Sequence, residues 1–461
     1  MKEKLMNQLD QLKSVHQTTN SVVTFYPLEE QLKDFNSKGI LAGEAVVLKD
    51  NISTKGVQTT GSSKILENYV PVFDAHIVTK LKEAGAIFLA KTTLDELAMG
   101  GTGLSGAQGP TKNPFNPDHQ AGGSSGGSAA IAGSRVVDYA IGSDTGDSVR
   151  KPASYCGVVG FKPSYGRISR YGVIAYASSL DHVGFFTSNV QQSLMMLKAL
   201  AGYDPKDVTT IKEDLDLNFE LTGNLKGKRI GVLENVLKAI NNEALLTAFE
   251  SLIAKLEAAG ASIVRVAMPD SLMRALLPTY TIIANSEAVA NHASLDGIRF
   301  GKRVEADTLE QTMIASRTAG FGKSLKKRFV IGAYGIADEN QEFVFRKAQK
   351  VRRKIVEAYQ ALLNDLDAIL TPATPTPAPR IDAPSKNPLA DEYLIAENHL
   401  VIGNFGGFPS ITLPLMFQEG LPIGINLTAA VKDDLELLDL AKGVETIIDF
   451  EKILKEYHHE L

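Results

Sequence analysis

The sequence predicts one large α/β core with a helical insertion. Short apolar runs alternate with helical patterns along most of the 461 residues, an order that is typical of parallel βαβ units. Residues from about 271 to 363 are instead mostly helical, with several charged faces. No Pro- or Ser-rich linker separates these parts, so we expect a single domain over residues 1–461.

The first α/β unit is predicted after a polar, helical N-terminal segment over residues 1–40. An apolar run over 44–48 predicts a buried strand that ends at Lys49. Residues 87–90 predict the next strand, and a helix that Gly85 terminates lies between the two strands. The apolar face of that helix consists of Ile77, Val78, Leu81 and Ala84.

The same two patterns predict the elements of the rest of the chain. Apolar runs predict strands over 136–141, 229–233, 262–266, 368–372, 410–415 and 423–427. Helical patterns cover 128–132, 242–259 and 435–457, the last of which is amphipathic and closes the chain.

Composition excludes several functional classes. The net charge is −5, which provides no global electrostatic attraction to nucleic acid or to anionic lipid. The single cysteine, Cys156, cannot form an internal disulfide, fits a reducing compartment and is predicted to be a small buried core residue. The N-terminus lacks the apolar run of a signal peptide, and no stretch reaches the ~20 apolar residues of a membrane helix. We therefore expect a cytoplasmic protein.

Two clusters rich in glycine and serine, together with one lysine, indicate the chemistry. The clusters are Gly-Gly-Ser-Ser-Gly-Gly-Ser at 122–128 and Gly-Ser-Asp-Thr-Gly-Asp-Ser at 142–148, and the lysine is Lys49. Together they supply a hydroxyl nucleophile, a second hydroxyl and an amine base without a histidine. This set predicts acyl transfer on an amide, in the serine–lysine variant of the serine-triad mechanism.

Each feature has a second interpretation when it is taken alone. The first cluster resembles a flexible linker or a phosphate-binding turn, although it leads directly into an apolar helix start and lacks the P-loop lysine spacing. The second cluster can offer consecutive N–H donors to an oxyanion, or it can be a tight turn with a capping serine. Lys49 is a base if burial lowers its pKa, and otherwise a surface lysine that follows a strand.

The eight histidines show no metal-binding pattern. None has H-E-x-x-H spacing or a cysteine partner, so we expect no metal site. One alternative set for acyl transfer remains, because Ser179, Asp181 and His182 could form a Ser-His-Asp arrangement.

These motifs, in this order, resemble the amidase signature family. The resemblance is dense over 122–163, and it extends to Lys49-Asp50-Asn51-Ile52, to 91–96 and to 109–114. Three further segments, 165–172, 177–181 and 296–301, resemble the glutaminase subunits of tRNA-dependent amidotransferases within that family. The resemblance implies a large mixed β-sheet that is covered by helices on both faces.

The resemblance also implies roles for the residues of the clusters. Ser148 is expected to be the acyl nucleophile, Ser124 the bridging serine after a cis peptide bond, and Lys49 the base. The backbone N–H groups of Thr145, Gly146 and Asp147 are expected to hold the oxyanion. For the substrate, Arg328 is expected to bind the α-carboxylate of glutamine, Glu397 its α-amino group, and Tyr280 to line the pocket.

The implied activity is hydrolysis of glutamine to supply ammonia for the conversion of Glu-tRNA(Gln) to Gln-tRNA(Gln). The B and C subunits of the amidotransferase complex are the expected partners, and the partner is expected to hold most of the tRNA. The chain itself is expected to need no cofactor, with ATP and Mg²⁺ used in the partner protein. Two alternatives remain: a free-standing amidase that acts on a small amide, and an amidase-like scaffold that has lost activity.

The sequence departs from the family pattern at three places. Asp147 stands where the family usually has glycine, and we predict that Arg150 or Lys151 holds its carboxylate away from the oxyanion. The glycine-rich loop over 100–106 differs from the usual version, which contains serine and glutamate. Glu397 stands where an aspartate is expected upstream of Asn404. These departures concern the substrate more than the class of reaction.

Overall fold

A computed structural model describes residues 1–33, 35–383 and 387–459 of the chain. Its strands are β1 Val22–Phe25, β2 Ala45–Lys49, β3 Ile87–Thr92, β4 Tyr139–Asp144, β5 Val159–Lys162, β6 His182–Thr187, β7 Arg229–Leu233, β8 Ser262–Val266, β9 Ala368–Pro372, β10 Ser410–Gln418 and β11 Leu421–Thr428. Its α-helices are α1 Lys2–Thr19, α2 Leu28–Gln31, α3 His76–Glu83, α4 Gly126–Gly133, α5 Arg150–Cys156, α6 Val190–Leu200, α7 Glu234–Lys238, α8 Glu243–Ala258, α9 Asp270–Arg274, α10 Leu276–Asn291, α11 Leu309–Gly320, α12 Lys323–Ile336, α13 Phe345–Leu363, α14 Ile402–Phe405, α15 Asp434–Ile448 and α16 Phe450–His459.

All eleven strands belong to one mixed sheet, in the order β1-β3-β2-β4-β6-β5-β10-β11-β9-β7-β8. β2 pairs in parallel with β3 and β4, and β7 pairs in parallel with β8 and β9. The strands between β4 and β9 pair antiparallel, as do β1 and β3. The predicted α/β fold with a large mixed sheet is therefore confirmed.

Alternation along β2 explains why helices cover both faces of the sheet. Val46 and Leu48 belong to one cluster of buried apolar side chains, whereas Ala45 and Val47 belong to a second one. Successive side chains of a strand point to opposite faces, so the two clusters are the cores on the two sides of the sheet. A strand that is buried on both faces reads as a continuous apolar run, as 44–48 does.

The parallel pairing of β2 with β4 brings the two sequence motifs together. Leu48 lies opposite Ile141 in this pair, so the strands end at the same edge of the sheet. Lys49 is the last residue of β2, and Asp144 is the last residue of β4. Loops at the carboxyl ends of parallel strands are where α/β proteins place their ligand sites.

Most predicted elements are present, but three predictions were wrong in part, and two further strands had not been predicted. The segment over 1–40 is not all helical, because Val22–Phe25 forms β1 and pairs with β3. Its β-branched and aromatic residues favour a strand over the helical pattern around them. The predicted terminal helix is two helices, because Asp449 adopts a left-handed conformation at φ 49°. The strand expected over 136–141 is shifted to Tyr139–Asp144, and β5 and β6 had not been predicted.

Helices α10 to α13 form the helical region that was predicted over 271–363. α10 packs against both α12 and α13, which brings residues of α10 and α12 to the active-site edge of the sheet. Cys156 is fully buried in the core, as predicted. Over the described ranges, no helix has both the length and the apolar composition of a membrane span.

Candidate active site

The centre of the candidate site is Lys49, which is fully buried. Its Nζ lies 2.8 Å from Ser124 Oγ, 2.9 Å from Ser143 Oγ and 3.2 Å from the Ser143 carbonyl oxygen. A neutral amine has two N–H donors and one lone pair, so it can donate twice to Ser143 and accept the hydroxyl proton of Ser124. Burial lowers the pKa of Lys49 to about 7, although nearby carboxylates, Asp95 foremost, oppose the shift.

The two serine clusters are joined by hydrogen bonds. The N–H of Ser125 donates to the carbonyl oxygen of Ser148 at 3.2 Å. The hydroxyl of Ser125 donates to the Ser143 carbonyl at 3.0 Å, and it accepts the Ser143 N–H at 3.2 Å. These bonds hold the segments that carry Ser124 and Ser148 against each other, and both side chains are buried, as is that of Lys49.

The peptide bond between Gly123 and Ser124 is cis, as the resemblance implies. Gly123 has no room for a side chain, because an added Cβ would lie 2.0 Å from Asp95 Oδ2. Asp95 also accepts the backbone N–H groups of Thr102, Gly103 and Ser105. It thereby ties the glycine-rich loop over 100–106 to the backbone that precedes Ser124.

The loop between β4 and α5 presents unused backbone donors. In the hydrogen-bond network of the described residues, no acceptor pairs with the N–H groups of Thr145, Gly146, Asp147 or Ser148. Buried N–H groups normally have partners, so a run of free donors is available to a ligand. Such a run can stabilise an oxyanion beside the hydroxyl of Ser148.

The orientation of this loop is set by Arg150, which is fully buried. Its guanidinium makes a bidentate contact with Asp144, through Nε at 3.1 Å and Nη2 at 3.0 Å. Nη2 also donates to the carbonyl of Gly146 at 2.8 Å. In a trans peptide the C=O and N–H point in opposite directions, so this bond turns the Asp147 N–H away from Arg150.

Two neighbours hold the network from further along the chain. Asn404 donates to Asp144 Oδ1 at 2.9 Å and accepts from Arg150 at 2.6 Å. Burial alone would raise the pKa of Asp144, but Arg150 outweighs it and holds that pKa well below the usual range. The second neighbour, Asp181, accepts the hydroxyl of Thr145 at 2.6 Å, and burial raises the pKa of its carboxyl to about 6.

A cavity of about 630 Å³ opens beside this loop. Its walls include Gly146 and Asp147 together with Tyr280, Arg328 and Glu397, the three residues that were expected to bind substrate. A volume of this size is typical of small-molecule sites. The structure thus brings the predicted substrate-binding residues to the same cavity as the predicted oxyanion loop.

Arg328 is arranged to bind an anion. Its Nη1 donates to the hydroxyl of Tyr176 at 3.3 Å, which is its one hydrogen bond within the described part of the chain. The remaining guanidinium donors are available to a carboxylate in the cavity, in the planar geometry that arginine provides. Tyr280 packs on Gly146, where an added Cβ would lie 2.9 Å from the ring carbon Cζ.

Asp147 is paired with Lys151, one of the two partners that were predicted for it. The other one, Arg150, is bonded to Asp144 instead. A carboxylate that is held by Lys151 leaves the loop N–H groups free, which is consistent with an active site.

The Ser-His-Asp alternative is not supported by the geometry. Nδ1 of His182 is bonded to the carbonyl of Leu180 at 2.7 Å. Both oxygens of Asp181 are used elsewhere, by Thr145 and by the N–H groups of Tyr176 and Ala177. The imidazole is therefore not oriented by this carboxylate, as a triad requires.

Several residues of the site had been assigned no role from the sequence. They are Ser143, Asp144, Asp95 and Asn404, whereas Arg150 and Asp181 had been assigned other roles than those that the structure gives them. Ser143 and Asp144 belong to the second cluster, at the end of β4. Parallel pairing of the strand that ends at Lys49 with the strand that leads into this cluster would have predicted that they lie near Lys49. Asn404 lies 254 residues from Arg150 and has no local signal.

Comparison with known proteins gives one consistent result. The family model described as Amidase matches residues 3–438. The chain is 38% identical over 438 residues to the A subunit of glutamyl-tRNA(Gln) amidotransferase from Pseudothermotoga lettingae, with 95% of this chain and 92% of that protein covered. It is 41% identical over 423 residues to the protein of the same name from Shouchella clausii, with 91% and 86% covered.

The fold is also similar to solved structures. The crystal structure of the A subunit of glutamyl-tRNA(Gln) amidotransferase from Thermotoga maritima matches with a TM-score of 0.81 at 35% identity. The match covers 96% of this chain and 90% of that one. The similarity therefore includes nearly all of both folds.

Proposed function

Because the chain belongs to the amidase signature family, we propose that it is the glutamine-hydrolysing component of a glutamyl-tRNA(Gln) amidotransferase. The observation that carries this proposal is the contact between Lys49 and Ser124 beside the free N–H donors of the Ser148 loop. It is the arrangement that amide cleavage by a serine–lysine mechanism needs.

The proposed reaction begins with proton transfer. The neutral amine of Lys49 takes the hydroxyl proton of Ser124, which in turn takes that of Ser148. The Ser148 oxygen attacks the side-chain carboxamide of glutamine, and the loop N–H groups hold the oxyanion. The proton taken up by Lys49 returns through Ser124 to the leaving nitrogen, and ammonia departs. Water then attacks the glutamyl ester while Ser124 and Lys49 take its proton and return it to Ser148 Oγ, which releases glutamate.

The cavity supports glutamine as the substrate. Arg328 offers a fork of donors for the α-carboxylate, and Glu397 offers a carboxylate for the α-amino group. Both groups recognise the charged end of a free amino acid. Tyr280, which packs on the oxyanion loop, fits a role in directing the carboxamide toward Ser148.

The proposed partners are the B and C subunits of the amidotransferase. Each of the two relatives is named as one lettered component of an amidotransferase, which supports membership in a complex of several subunits. The partner would use ATP and Mg²⁺ to activate tRNA-bound glutamate, and it would receive ammonia from this chain. The chain itself would need no cofactor for glutamine hydrolysis.

The test compares two nitrogen sources in the complex that co-purifies with the chain. Wild type should convert Glu-tRNA(Gln) to Gln-tRNA(Gln) with either glutamine or ammonium chloride. Ser148→Ala should lose the glutamine-dependent reaction and keep the ammonia-dependent one. Full activity of the isolated chain on small amides, with no dependence on partners, would favour the free-standing amidase instead.

A further inference from the structure

Asp147 and Lys151 form a largely buried ion pair in the wall of the candidate site. They are four residues apart, and the backbone N–H of Lys151 donates to the carbonyl of Asp147 at 2.9 Å. The side chains are only 15% and 13% exposed. Asp147 lies between Gly146 and Ser148, so its carboxylate is attached to the loop whose free N–H groups are available to the oxyanion.

The surroundings of Lys151 favour its charged form. Burial alone would lower the pKa of Lys151, but the carboxylate of Asp147 outweighs it and raises that pKa, with help from Glu397. Lys151 and Glu397 line the same cavity. Lys151 is therefore a cation that lies in the field of two carboxylates at one side of the cavity.

Without this cation, Asp147 would be a largely buried carboxylate with no counter-charge beside the developing oxyanion. Like charges at short range in a water-poor site repel strongly, and the transition state would carry the cost. The carboxylate could also turn toward the N–H groups of its own loop and occupy them, because charged acceptors form stronger hydrogen bonds than neutral ones.

We propose that Lys151 is a positioning residue of the glutaminase site, which holds the Asp147 carboxylate along the first turn of α5 and neutralises it. The free donors of the loop then remain available to the oxyanion. This inference rests on the proposed function, and it adds that Asp147 and Lys151 act as one unit. The aspartate is tolerated beside the nucleophile because the lysine is present.

The test is a double-mutant cycle on glutamine hydrolysis in the assembled complex. Lys151→Met should lower kcat by about 10²-fold, the range for loss of an oxyanion donor, with little change in KM. Asp147→Gly removes the carboxylate and keeps the backbone N–H, so it is the reference in which the effect of Lys151→Met is measured without that charge. Asp147→Gly combined with Lys151→Met should recover to within about threefold of Asp147→Gly alone, because the charge that needed compensation is gone. Lys238→Met, at the exposed i,i+4 pair with Glu234, is the matched control and should leave kcat unchanged.

Two results would overturn the inference: a wild-type kcat for Lys151→Met, or a loss of kcat on adding Lys151→Met to Asp147→Gly that is as large as the loss in wild type. If Lys151→Met does not fold by circular dichroism, Lys151→Arg and Lys151→Gln give the same comparison, with the arginine variant active and the glutamine variant slow. Release of 4-nitrophenol from 4-nitrophenyl acetate measures the acylation of Ser148 in the absence of glutamine. A wild type that reacts with this ester but not with glutamine would contradict the proposed function alone, and the same cycle on the ester would still test Lys151.

Discussion

The amine of Lys49 lies 2.8 Å from the hydroxyl of Ser124, although 75 residues separate them in sequence, and both side chains are fully buried. A charged ammonium is costly in this place, so burial lowers the pKa of Lys49 to about 7 and a substantial share of the amine is neutral at neutral pH. Burial thus converts an ordinary lysine into a base with a pKa suited to its task.

We predict that kcat/KM for glutamine falls as the pH decreases through about 7, the pKa of Lys49. Lys49 must be neutral to accept a proton, so each further pH unit below that value should cost about tenfold. Initial rates between about pH 5 and 9 would measure this acid limb. Asp181→Asn separates the two groups, because burial raises the pKa of Asp181 to about 6 and its carboxylate raises the pKa of Lys49. A limb that belongs to Lys49 should persist in that variant and move to lower pH, whereas a limb that belongs to Asp181 should disappear. A flat profile through pH 7 would contradict the role of Lys49.

Loss of Lys49 and loss of Ser148 should not be additive. Each alanine variant alone should lower kcat by on the order of 10⁴- to 10⁶-fold, because the members of a catalytic unit fail together. The double variant should then be little worse than either single one. Steady-state glutaminase rates in the complex would measure this, with Ser134→Ala at the end of α4 as a control. Fully additive losses would show that Lys49 acts independently of Ser148.

Arg328→Lys should raise the KM for glutamine and leave ammonia-dependent amidation unchanged. Lysine keeps the charge but not the planar fork that binds a carboxylate in two places. Free ammonia does not use this cavity, so it provides the internal control. The matching variant Arg346→Lys, at an exposed ion pair on α13, should change neither reaction. An equal loss of both reactions in Arg328→Lys would instead assign Arg328 to the fold or to a partner interface.

Much of the core could be predicted because the apolar runs of the sequence coincide with strands that are buried in the folded protein. The apolar run before Lys49 is a strand that is buried on both faces, and its length fixes where Lys49 emerges. β1 was missed because four residues of strand sit between helical segments, and pairing with β3 stabilises them. The break at Asp449 depends on a left-handed residue other than glycine, for which the sequence carries only a weak signal.

The candidate site, like the fold, could be predicted from the sequence only in part. Lys49, Ser124 and Ser148 lie in motifs that are readable one at a time, and the resemblance to the family connects them. The support of the oxyanion loop comes from Arg150, Asn404 and Asp181, whose contacts join distant parts of the chain. Such contacts depend on the order of the strands in the sheet, and no spacing in the sequence reveals that order.

The contact between Gly146 and Tyr280 gives the last prediction. A Cβ at residue 146 would lie 2.9 Å from Cζ and 3.1 Å from the hydroxyl oxygen of Tyr280, so either the ring or the loop must shift. The ring is held among buried neighbours, and the loop carries the oxyanion donors, so the loop should give way. A displacement on the scale of 1 Å costs about 10²-fold in rate, and we expect Gly146→Ala to lower kcat/KM for glutamine by that factor.

The control for this prediction is Gly101, which lines the same cavity. A Cβ at residue 101 would meet nothing within 4 Å, so Gly101→Ala should have a much smaller effect. Combining Gly146→Ala with Tyr280→Phe should restore little, because the ring carbon stays, whereas Tyr280→Leu should relieve the clash. Equal rates for Gly146→Ala and Gly101→Ala would mean that the loop can move without loss, and that Tyr280 does not constrain the oxyanion donors.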